Sequence, residues 1–256
     1  MLKAHGPIAL AQGNLMGVAF LLMLVVVVPV IVLTLAFAWR YRAGGKGAHA
    51  PDWDSSRGIE ALVWGVPAVL IVVLGVMVWT STHRLDPLRP LPGRATEVQA
   101  IAQDWKWVFL YPDLGIATVN ELAFPAGQPL HLTITSDVAM TSFMIPGLGG
   151  QIYAMAGMTT EMNLAADAPG RFLGRNMQFN GTDFPDQTFA VLAQTDADFE
   201  TWTAKARAAP EALTPQRYAT LRGKQATHPA ARFRSFDLGL FDRVVMAYGP
   251  HPGGMN

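Results

Sequence analysis

Residues 15–39 have the sequence LMGVAFLLMLVVVVPVIVLTLAFAW, a run of 25 residues without a charged side chain. At about 1.5 Å per residue, a helix of this length exceeds the hydrocarbon core of a bilayer, which is about 30 Å thick. A second uncharged run, ALVWGVPAVLIVVLGVMVWT, covers residues 61–80. Each run contains one proline, Pro29 or Pro67, which packed membrane helices tolerate. We therefore expect a multi-pass protein with transmembrane helices at about 15–39 and 60–82.

The composition of the 256-residue chain supports a membrane protein and excludes several other classes. Hydrophobic residues make up 51% of the chain and charged residues only 15%, against a usual charged share of about 25%. Nineteen basic residues balance nineteen acidic ones, so the overall charge gives no sign of a nucleic-acid partner. The chain has no cysteine, which excludes disulfides, thiolate metal sites and cysteine nucleophiles within it.

Beyond the proline-rich linker at 87–92, short runs rich in β-branched and aromatic residues alternate with turn residues. This pattern predicts a Greek-key β-sandwich or barrel. From residue 196 onward the pattern becomes helical. The predicted strands are Glu97–Ile101, Trp105–Tyr111, Ala117–Phe124, Leu130–Thr135, Ser142–Ile145, Thr159–Ala165, Arg171–Met177 and Thr188–Gln194. The predicted helices are 196–208, 215–223 and 236–248, followed by a mobile tail.

These patterns divide the chain into three parts. Residues 1–94 form an N-terminal segment with the transmembrane hairpin, residues 95–195 form the β-domain, and residues 196–256 form a helical extension. Charge is distributed unevenly, because residues 95–194 hold three basic and nine acidic residues, a net charge of −6. An acidic β-domain can attract a basic partner, but the same charge also serves solubility.

Five strings in the chain are similar to subunit II of the haem–copper respiratory oxidases. They are GIEALVWGVP (58–67), DWKW (104–107), IATVNELAFP (116–125), SFMIP (142–146) and QIYAMAGM (151–158). They most resemble the quinol-oxidase branch, of cytochrome bo type. The resemblance extends from about His5 to Ala208, and the last 45 or so residues share only a helical extension. It implies a cupredoxin-like β-domain.

The resemblance also identifies positions at which the cytochrome c oxidase branch binds copper. In that branch two cysteines, two histidines and a methionine hold the dinuclear CuA centre, whose soft ligands suit copper. The matching side-chain positions here are Thr141, Asn176, Asn180, Phe184 and Gln187. Since the chain has no cysteine to bridge two metals, we expect no CuA and no other metal in this chain.

The resemblance then implies a non-redox subunit II of a proton-translocating terminal ubiquinol oxidase, which oxidises quinol and reduces O₂ to water. The haems and CuB belong to partner subunit I, and ubiquinol reacts there. The expected partners are subunits I, III and IV and membrane lipid, without cytochrome c or nucleic acid. In the bacterial inner membrane, both termini and the β-domain would be periplasmic, and the loop at 40–58 cytoplasmic.

Four residues are functional candidates, although no catalytic residue is expected in this chain. Glu60, at the start of the second helix, is the proton-entry candidate; the alternative is a solvated acid stabilised by the helix dipole. Trp105, Lys106 and Trp107 are candidates for packing against subunit I on the quinol side.

Methionines in the β-domain support a different function. Thioethers bind Cu(I), so the alternative is a membrane-anchored copper-binding or assembly protein; the competing explanation is that methionines fill gaps in the core. They are Met140, Met144, Met155, Met158, Met162 and Met177. A third hypothesis, docking of cytochrome c on the acidic β-domain, is disfavoured by the absence of cysteine.

Overall fold

The computed structural model describes residues 4–45, 55–223 and 228–249. The chain forms two compact units. The helical unit is Gly13–Asp86, and the β unit combines Met1–Gln12 with Pro87–Asn256. The predicted mobile tail after Tyr248 lies outside the described residues from position 250 onward.

Two long apolar helices confirm the predicted membrane-helix pattern. Helix α1 covers Pro7–Arg40 and α2 covers Arg57–Arg84, and both are long and apolar enough to cross a membrane. Helix α1 begins about two turns before the predicted span because its first residues belong to the β unit. There the Ala9 N–H donates to the carbonyl of Leu148 at 3.2 Å, and Ala9 is buried.

The β unit is a two-layer sandwich, as the sequence predicts. Sheet A has the strand order β11-β3-β2-β1-β5-β8, and sheet B has the order β4-β10-β9-β6-β7. The pairs β1–β5 and β4–β10 are parallel. Among the described residues the strands are β1 Thr96–Gln103, β2 Lys106–Tyr111, β3 Ile116–Val119, β4 Glu121–Pro125, β5 Pro129–Ser136, β6 Thr141–Met144, β7 Gln151–Ala154, β8 Thr160–Ala165, β9 Gly170–Arg175, β10 Thr188–Gln194 and β11 Ala231–Phe233.

The prediction of one strand over Ala117–Phe124 is wrong, because the chain passes from sheet A to sheet B at Asn120. Asn120 has φ +54, a left-handed conformation that asparagine tolerates better than most residues. Its side-chain Oδ1 accepts from the Trp107 N–H at 2.8 Å, and its own N–H donates to the Trp107 carbonyl at 2.9 Å. Strands β7 and β11 were not predicted; both are short and lie at sheet edges, where the hydrophobic alternation is weak.

Aromatic rings fill the core between the two sheets. The Phe143 and Phe189 rings stack at 5.0 Å, and the Trp107 ring lies 5.1 Å from Phe143 and 5.8 Å from Phe189. Gly174, on β9, leaves the space that the Phe189 ring occupies, since a Cβ there would lie 2.0 Å from a ring atom. This core fixes the positions at which both sheets present their loops.

The C-terminal extension contacts the sandwich in two places. It contains α3 (Asp196–Arg207), α4 (Pro215–Leu221) and α5 (Leu240–Tyr248). Trp202 and Ala206 of α3 join the apolar core of the sandwich, whereas the part of the extension after α3 covers the outer face of sheet A. Side chains from this part of the chain, including Phe233 and Phe241, form a second apolar cluster with β1, β2 and β3. The predicted helical character of the extension is therefore confirmed, although α5 begins later than the predicted residue 236.

Candidate functional site

Five positions match the copper ligands of the cytochrome c oxidase branch. Four of them meet at one end of the sandwich. Thr141 begins β6, Asn176 directly follows β9, and Gln187 directly precedes β10. Asn180 lies in the loop between these two strands. Asn180 Nδ2 donates to Thr141 Oγ1 at 3.1 Å and to Gln187 Oε1 at 3.0 Å. We call these four residues the amide network.

Asn176 holds the centre of the amide network. Its Nδ2 donates to Gln187 Oε1 at 2.9 Å, while its Oδ1 accepts from the backbone N–H groups of Ser142 at 3.0 Å and Gln178 at 2.8 Å. Gln187 Nε2 in turn donates to the carbonyl of Gln103 at 3.2 Å. Asn176 and Gln187 are buried, so these bonds replace the water that polar groups otherwise require.

The chemistry of the amide network does not fit a copper centre. Its carboxamide nitrogens donate hydrogen bonds, and because their lone pairs are delocalised into the adjacent carbonyls they are poor metal ligands. The remaining hydroxyl and carboxamide oxygens are hard ligands, whereas copper in electron-transfer sites prefers thiolate, thioether and imidazole. The fifth position, Phe184, has no polar side-chain atom, and its ring contacts Phe179 at 5.8 Å. The arrangement ties three chain segments together and supplies no redox group.

The aromatic candidates Trp105 and Trp107 have different surroundings. Trp107 is fully buried between the sheets, and Lys106 is fully buried as well, so neither presents a surface to a partner subunit. Trp105 is partly exposed, has φ +57 and lies beside Gly181 in the amide-network loop. Of the three residues predicted to pack against subunit I, Trp105 is therefore the one with a side chain at the surface of this chain.

Lys106 acts inside the β unit. Its amino group donates to the carbonyls of Asp104 and Gly223, each at 3.0 Å. Burial lowers the pKa of Lys106, and the nearby charge of Asp104 opposes this shift. Because Gly223 follows α4, this lysine fastens the extension to the β1–β2 turn.

Glu60, the proton-entry candidate, lies in the first turn of α2 in the helical unit. Its side chain is exposed, and its backbone N–H donates to the carbonyl of Ser56 at 2.9 Å. This is the position that a carboxylate favours near the positive end of a helix dipole.

A buried carboxylate that the sequence analysis did not identify joins the extension to sheet A. Asp137, in the loop after β5, is 3% exposed. It accepts from the Tyr218 hydroxyl at 2.8 Å and the Tyr248 hydroxyl at 3.1 Å, and it pairs with Arg222 Nε at 2.9 Å. We call these four residues the Asp137 cluster. The sequence gives no local signal for it, because the partners lie 81 to 111 residues away from Asp137.

Comparisons with known proteins identify the family. Residues 207–251 match the family model described as the COX Aromatic Rich Motif. Cytochrome bo(3) ubiquinol oxidase subunit 2 from Pseudomonas putida is 43% identical over 97% of this chain and 80% of its own length. The same subunit from Pseudomonas aeruginosa is 45% identical, over 98% and 77%. The chain belongs to the ubiquinol oxidase subunit 2 family.

A solved structure is also similar to the β unit of this family member. It is the periplasmic domain of subunit II of cytochrome oxidase from Bradyrhizobium japonicum, which is 22% identical, with a TM-score of 0.44. The match covers 46% of this chain and 98% of that one.

Membership of the ubiquinol oxidase subunit 2 family confirms the predicted quinol-oxidase branch and corrects one prediction. The resemblance was expected to end near Ala208, with only a helical extension beyond it. The aromatic-rich motif instead covers residues 207–251, and the relatives match 97% and 98% of the chain. Tyr218, Arg222 and Tyr248 of the Asp137 cluster fall inside this motif, so its aromatic residues fasten the extension to the sandwich.

The stability of this subunit is expected to fall as the pH rises above about 10. Burial raises the pKa of Tyr111 and of Tyr218, and the Asp137 charge raises that of Tyr218 further. The unfolded chain therefore loses both protons near pH 10, while the folded chain retains them. Each tyrosine then costs about 1.4 kcal/mol of unfolding free energy per pH unit. The lowered pKa of Lys106 makes stability rise with pH instead, but only up to the ordinary lysine pKa of about 10.4.

Urea unfolding of the detergent-solubilised protein between about pH 9 and pH 11.5 tests this pH window. The Tyr111→Phe variant should show a shallower alkaline slope of the unfolding free energy, with the remainder coming from Tyr218 and from Tyr248, whose pKa is also raised by burial. Tyr153→Phe, which changes a tyrosine that is 40% exposed, should leave the slope unchanged. Equal slopes for Tyr111→Phe and the unmodified protein would contradict the expectation.

Proposed function

We propose that this chain is the non-redox subunit 2 of a proton-translocating bacterial ubiquinol oxidase. The observation that carries the proposal is the amide network, in which Thr141, Asn176, Asn180 and Gln187 bond to one another. The curated relatives named as ubiquinol oxidase subunit 2 support the substrate class. The chain would contribute assembly and stability to a complex whose redox chemistry takes place elsewhere.

The surroundings of the amide network support a structural role. The start of β6, the loop after β9 and the segment before β10 meet there, and each contributes a side chain or a backbone group to the bonds. In the described residues, no group of three or more His, Asp or Glu side chains could hold a metal ion. Electrons would reach the complex from quinol, the substrate in the names of the relatives.

The proposed complex places the cofactors in other chains. The haems and CuB would lie in partner subunit I, where ubiquinol is oxidised and O₂ is reduced to water; subunits III and IV and lipid complete the surroundings. Helices α1 and α2 would span the inner membrane, with the β unit and both termini in the periplasm. The loop at 40–58 would be cytoplasmic, and its residues 46–54 lie outside the described residues.

Two side chains are proposed to serve that complex. Glu60, exposed at the first turn of α2, would collect protons at the cytoplasmic membrane boundary. Trp105, which is partly exposed, would pack its ring against subunit I. A left-handed backbone at a tryptophan costs on the order of 1 kcal/mol, so the fold holds this ring in place at an energetic cost.

Oxygen uptake by the purified complex containing this chain tests the function, with ubiquinol and reduced cytochrome c supplied in turn. We expect turnover with ubiquinol alone and a single copper per complex, assigned to CuB. Turnover with cytochrome c, together with two further coppers, would overturn the proposal. Copper that stays bound to this subunit after it is separated from the complex would favour the assembly-protein alternative.

A sample incubated with Cu(I) and then desalted provides the control for adventitious metal. Under the proposal, its copper content returns to that of the untreated complex. A methionine variant tests the copper-binding alternative directly. Met140, Met158 and Met177 are exposed, and replacing all three by leucine should alter neither copper content nor turnover. Loss of a tightly bound copper in that variant would contradict the proposal.

A further inference from the structure

The outward face of β9 carries an unusual row of side chains. Arg171, Leu173 and Arg175 are all exposed, and Leu173 is 48% exposed. Because successive residues of a strand point to opposite faces, these three project from the same face of sheet B. The two arginines are four residues apart, which places their Cα atoms about 13 Å from each other. We call these three residues the cationic strip.

The charge of the strip contrasts with its surroundings. Residues 95–194, all of which the structure describes, contain three basic residues, Lys106, Arg171 and Arg175, against nine acidic ones. Lys106 is fully buried. Both exposed cations of this acidic segment therefore lie on one face of one strand.

The two arginines have no acidic partner among the described residues. The ion pairs that the structure contains in that part of the chain involve other cations. Glu121, opposite Ala190 on the neighbouring strand pair, is held by Arg232 at 2.7 Å and by the Trp202 indole at 2.7 Å. Within the part of the chain that the structure describes, neither arginine of the strip therefore forms an ion pair.

A recess lies directly beside the strip. Its volume is about 450 Å³, large enough for one or two side chains. Residues from β9, β10 and the extension line it, among them Arg171, Leu173, Thr188, Ala190 and His228. Asp186 forms part of the lining and would repel a carboxylate that entered beside it. A docked acidic group would therefore bind over the arginines, with an apolar or neutral side chain in the recess.

We propose that the cationic strip docks an acidic surface of a partner subunit, with two carboxylates flanking an apolar side chain that contacts Leu173. This rests on the proposed function, because it requires that the chain be part of a complex. Charge complementarity argues for this occupant, since unpaired arginines fit carboxylates bidentately. Such pairs fix the orientation and register of an interface more than they add affinity.

An anionic bilayer surface is the less suitable occupant. A membrane surface presents negative charge over a wide area, and the nine acidic residues of this segment would be repelled by it. A discrete pair of carboxylates on a protein matches two arginines without that penalty, because screening limits repulsion beyond about 8 Å at physiological salt. A lipid contact is therefore an outcome that the experiment must separate from a protein contact.

A photo-reactive amino acid incorporated at position 173 during synthesis is in place before the complex assembles, so the probe need not reach a covered site. The complex with p-benzoylphenylalanine in place of Leu173 is irradiated and analysed by mass spectrometry. We expect an adduct with an acidic peptide of a co-purified oxidase subunit. The same amino acid in place of Leu238, a leucine that is 67% exposed and outside the strip, is the matched control and should not give this adduct.

Charge reversal tests the electrostatic part of the proposal. The Arg171→Glu/Arg175→Glu variant should lower the yield of the adduct by at least about tenfold, since like charges across an interface cost several kcal/mol. Lys205→Glu/Arg207→Glu, which reverses two exposed cations on α3, should not change it. An adduct only with lipid, no adduct, or a yield unaffected by reversal of the strip would overturn the proposal.

The proposed function is tested separately in the same preparation. Oxygen uptake with ubiquinol, measured on the unmodified complex, reports whether the chain belongs to a quinol oxidase. The crosslink reports whether the strip is covered by an acidic peptide. A crosslink without quinol turnover would overturn the proposed function but support the docking of the cationic strip. Quinol turnover without a crosslink would support the proposed function but overturn the docking.

Discussion

Replacing Gly174 by alanine is expected to lower the free energy of unfolding of the β unit by about 3 kcal/mol. A Cβ at this position would lie 2.0, 2.1 and 2.6 Å from three atoms of the Phe189 ring. The ring cannot move aside, because it stacks on Phe143 at 5.0 Å and contacts Phe109 at 5.2 Å. Urea unfolding of the full chain in detergent, followed through the fluorescence of its tryptophans, measures the loss.

Gly170, on the same strand, provides the control for this substitution. A Cβ there would meet the edge of the Phe172 ring at 3.1 Å, a contact that a small ring movement relieves. Gly170→Ala should therefore cost much less. Adding Phe189→Leu to Gly174→Ala should recover part of the loss, since neighbouring sites are not additive. Equal unfolding free energies for the two alanine variants would contradict the expectation.

The parts of the fold that the sequence predicts are those with a local pattern. Long uncharged runs predict α1 and α2, and alternation predicts most strands of both sheets. The start of α1 was missed because Ala9 is ordered by a bond to the Leu148 carbonyl, a contact between residues far apart in sequence. The switch at Asn120 was missed for the same reason, since its φ of +54 depends on bonds to Trp107.

The sequence analysis located the residues of the candidate site but not the hydrogen bonds between them. The resemblance to the copper-binding branch located four residues that the fold brings together, Thr141, Asn176, Asn180 and Gln187. The hydrogen bonds among them could not be predicted, because each depends on amide orientation within the folded loop. Trp107 was grouped with Trp105 because the two resemble an aromatic pair of the copper-bearing branch, but strand alternation next to the β1–β2 turn places Trp107 inside the core.

The Asp137 cluster shows what a single sequence cannot reveal. Asp137 occupies the short loop between β5 and β6, where an exposed acid would be the ordinary expectation. Its burial results from the extension, whose Tyr218 and Arg222 come from α4 and the residue after it. Only folding of the aromatic-rich motif against sheet A creates the partners that a buried carboxylate requires.

Replacing Asp137 by alanine is expected to lower the free energy of unfolding by about 3 kcal/mol and to loosen the extension. The substitution removes the acceptor for the Tyr218 and Tyr248 hydroxyls and the partner of Arg222. Tyr218 is 6% exposed, so its hydroxyl would have little access to water in place of the carboxylate. Arg222 is half exposed, so water can solvate its guanidinium group. The loss of its carboxylate partner therefore costs less free energy.

Limited proteolysis of the full chain, together with urea unfolding, distinguishes a local effect from a global one. In the Asp137→Ala variant, cleavage within residues 207–249 should become faster before the amide-network loop is cut, because the extension loses its attachment first. Asp237→Ala is the matched control, since Asp237 lies in the same extension and pairs with Arg243 at 2.7 Å on the surface. That surface pair contributes little, so both its cleavage rate and its unfolding curve should stay near those of the unmodified protein. If the two alanine variants behave alike, the Asp137 cluster does not hold the aromatic-rich motif, and its attachment must come from other contacts, among them the Lys106–Gly223 hydrogen bond and the apolar cluster around Phe233 and Phe241.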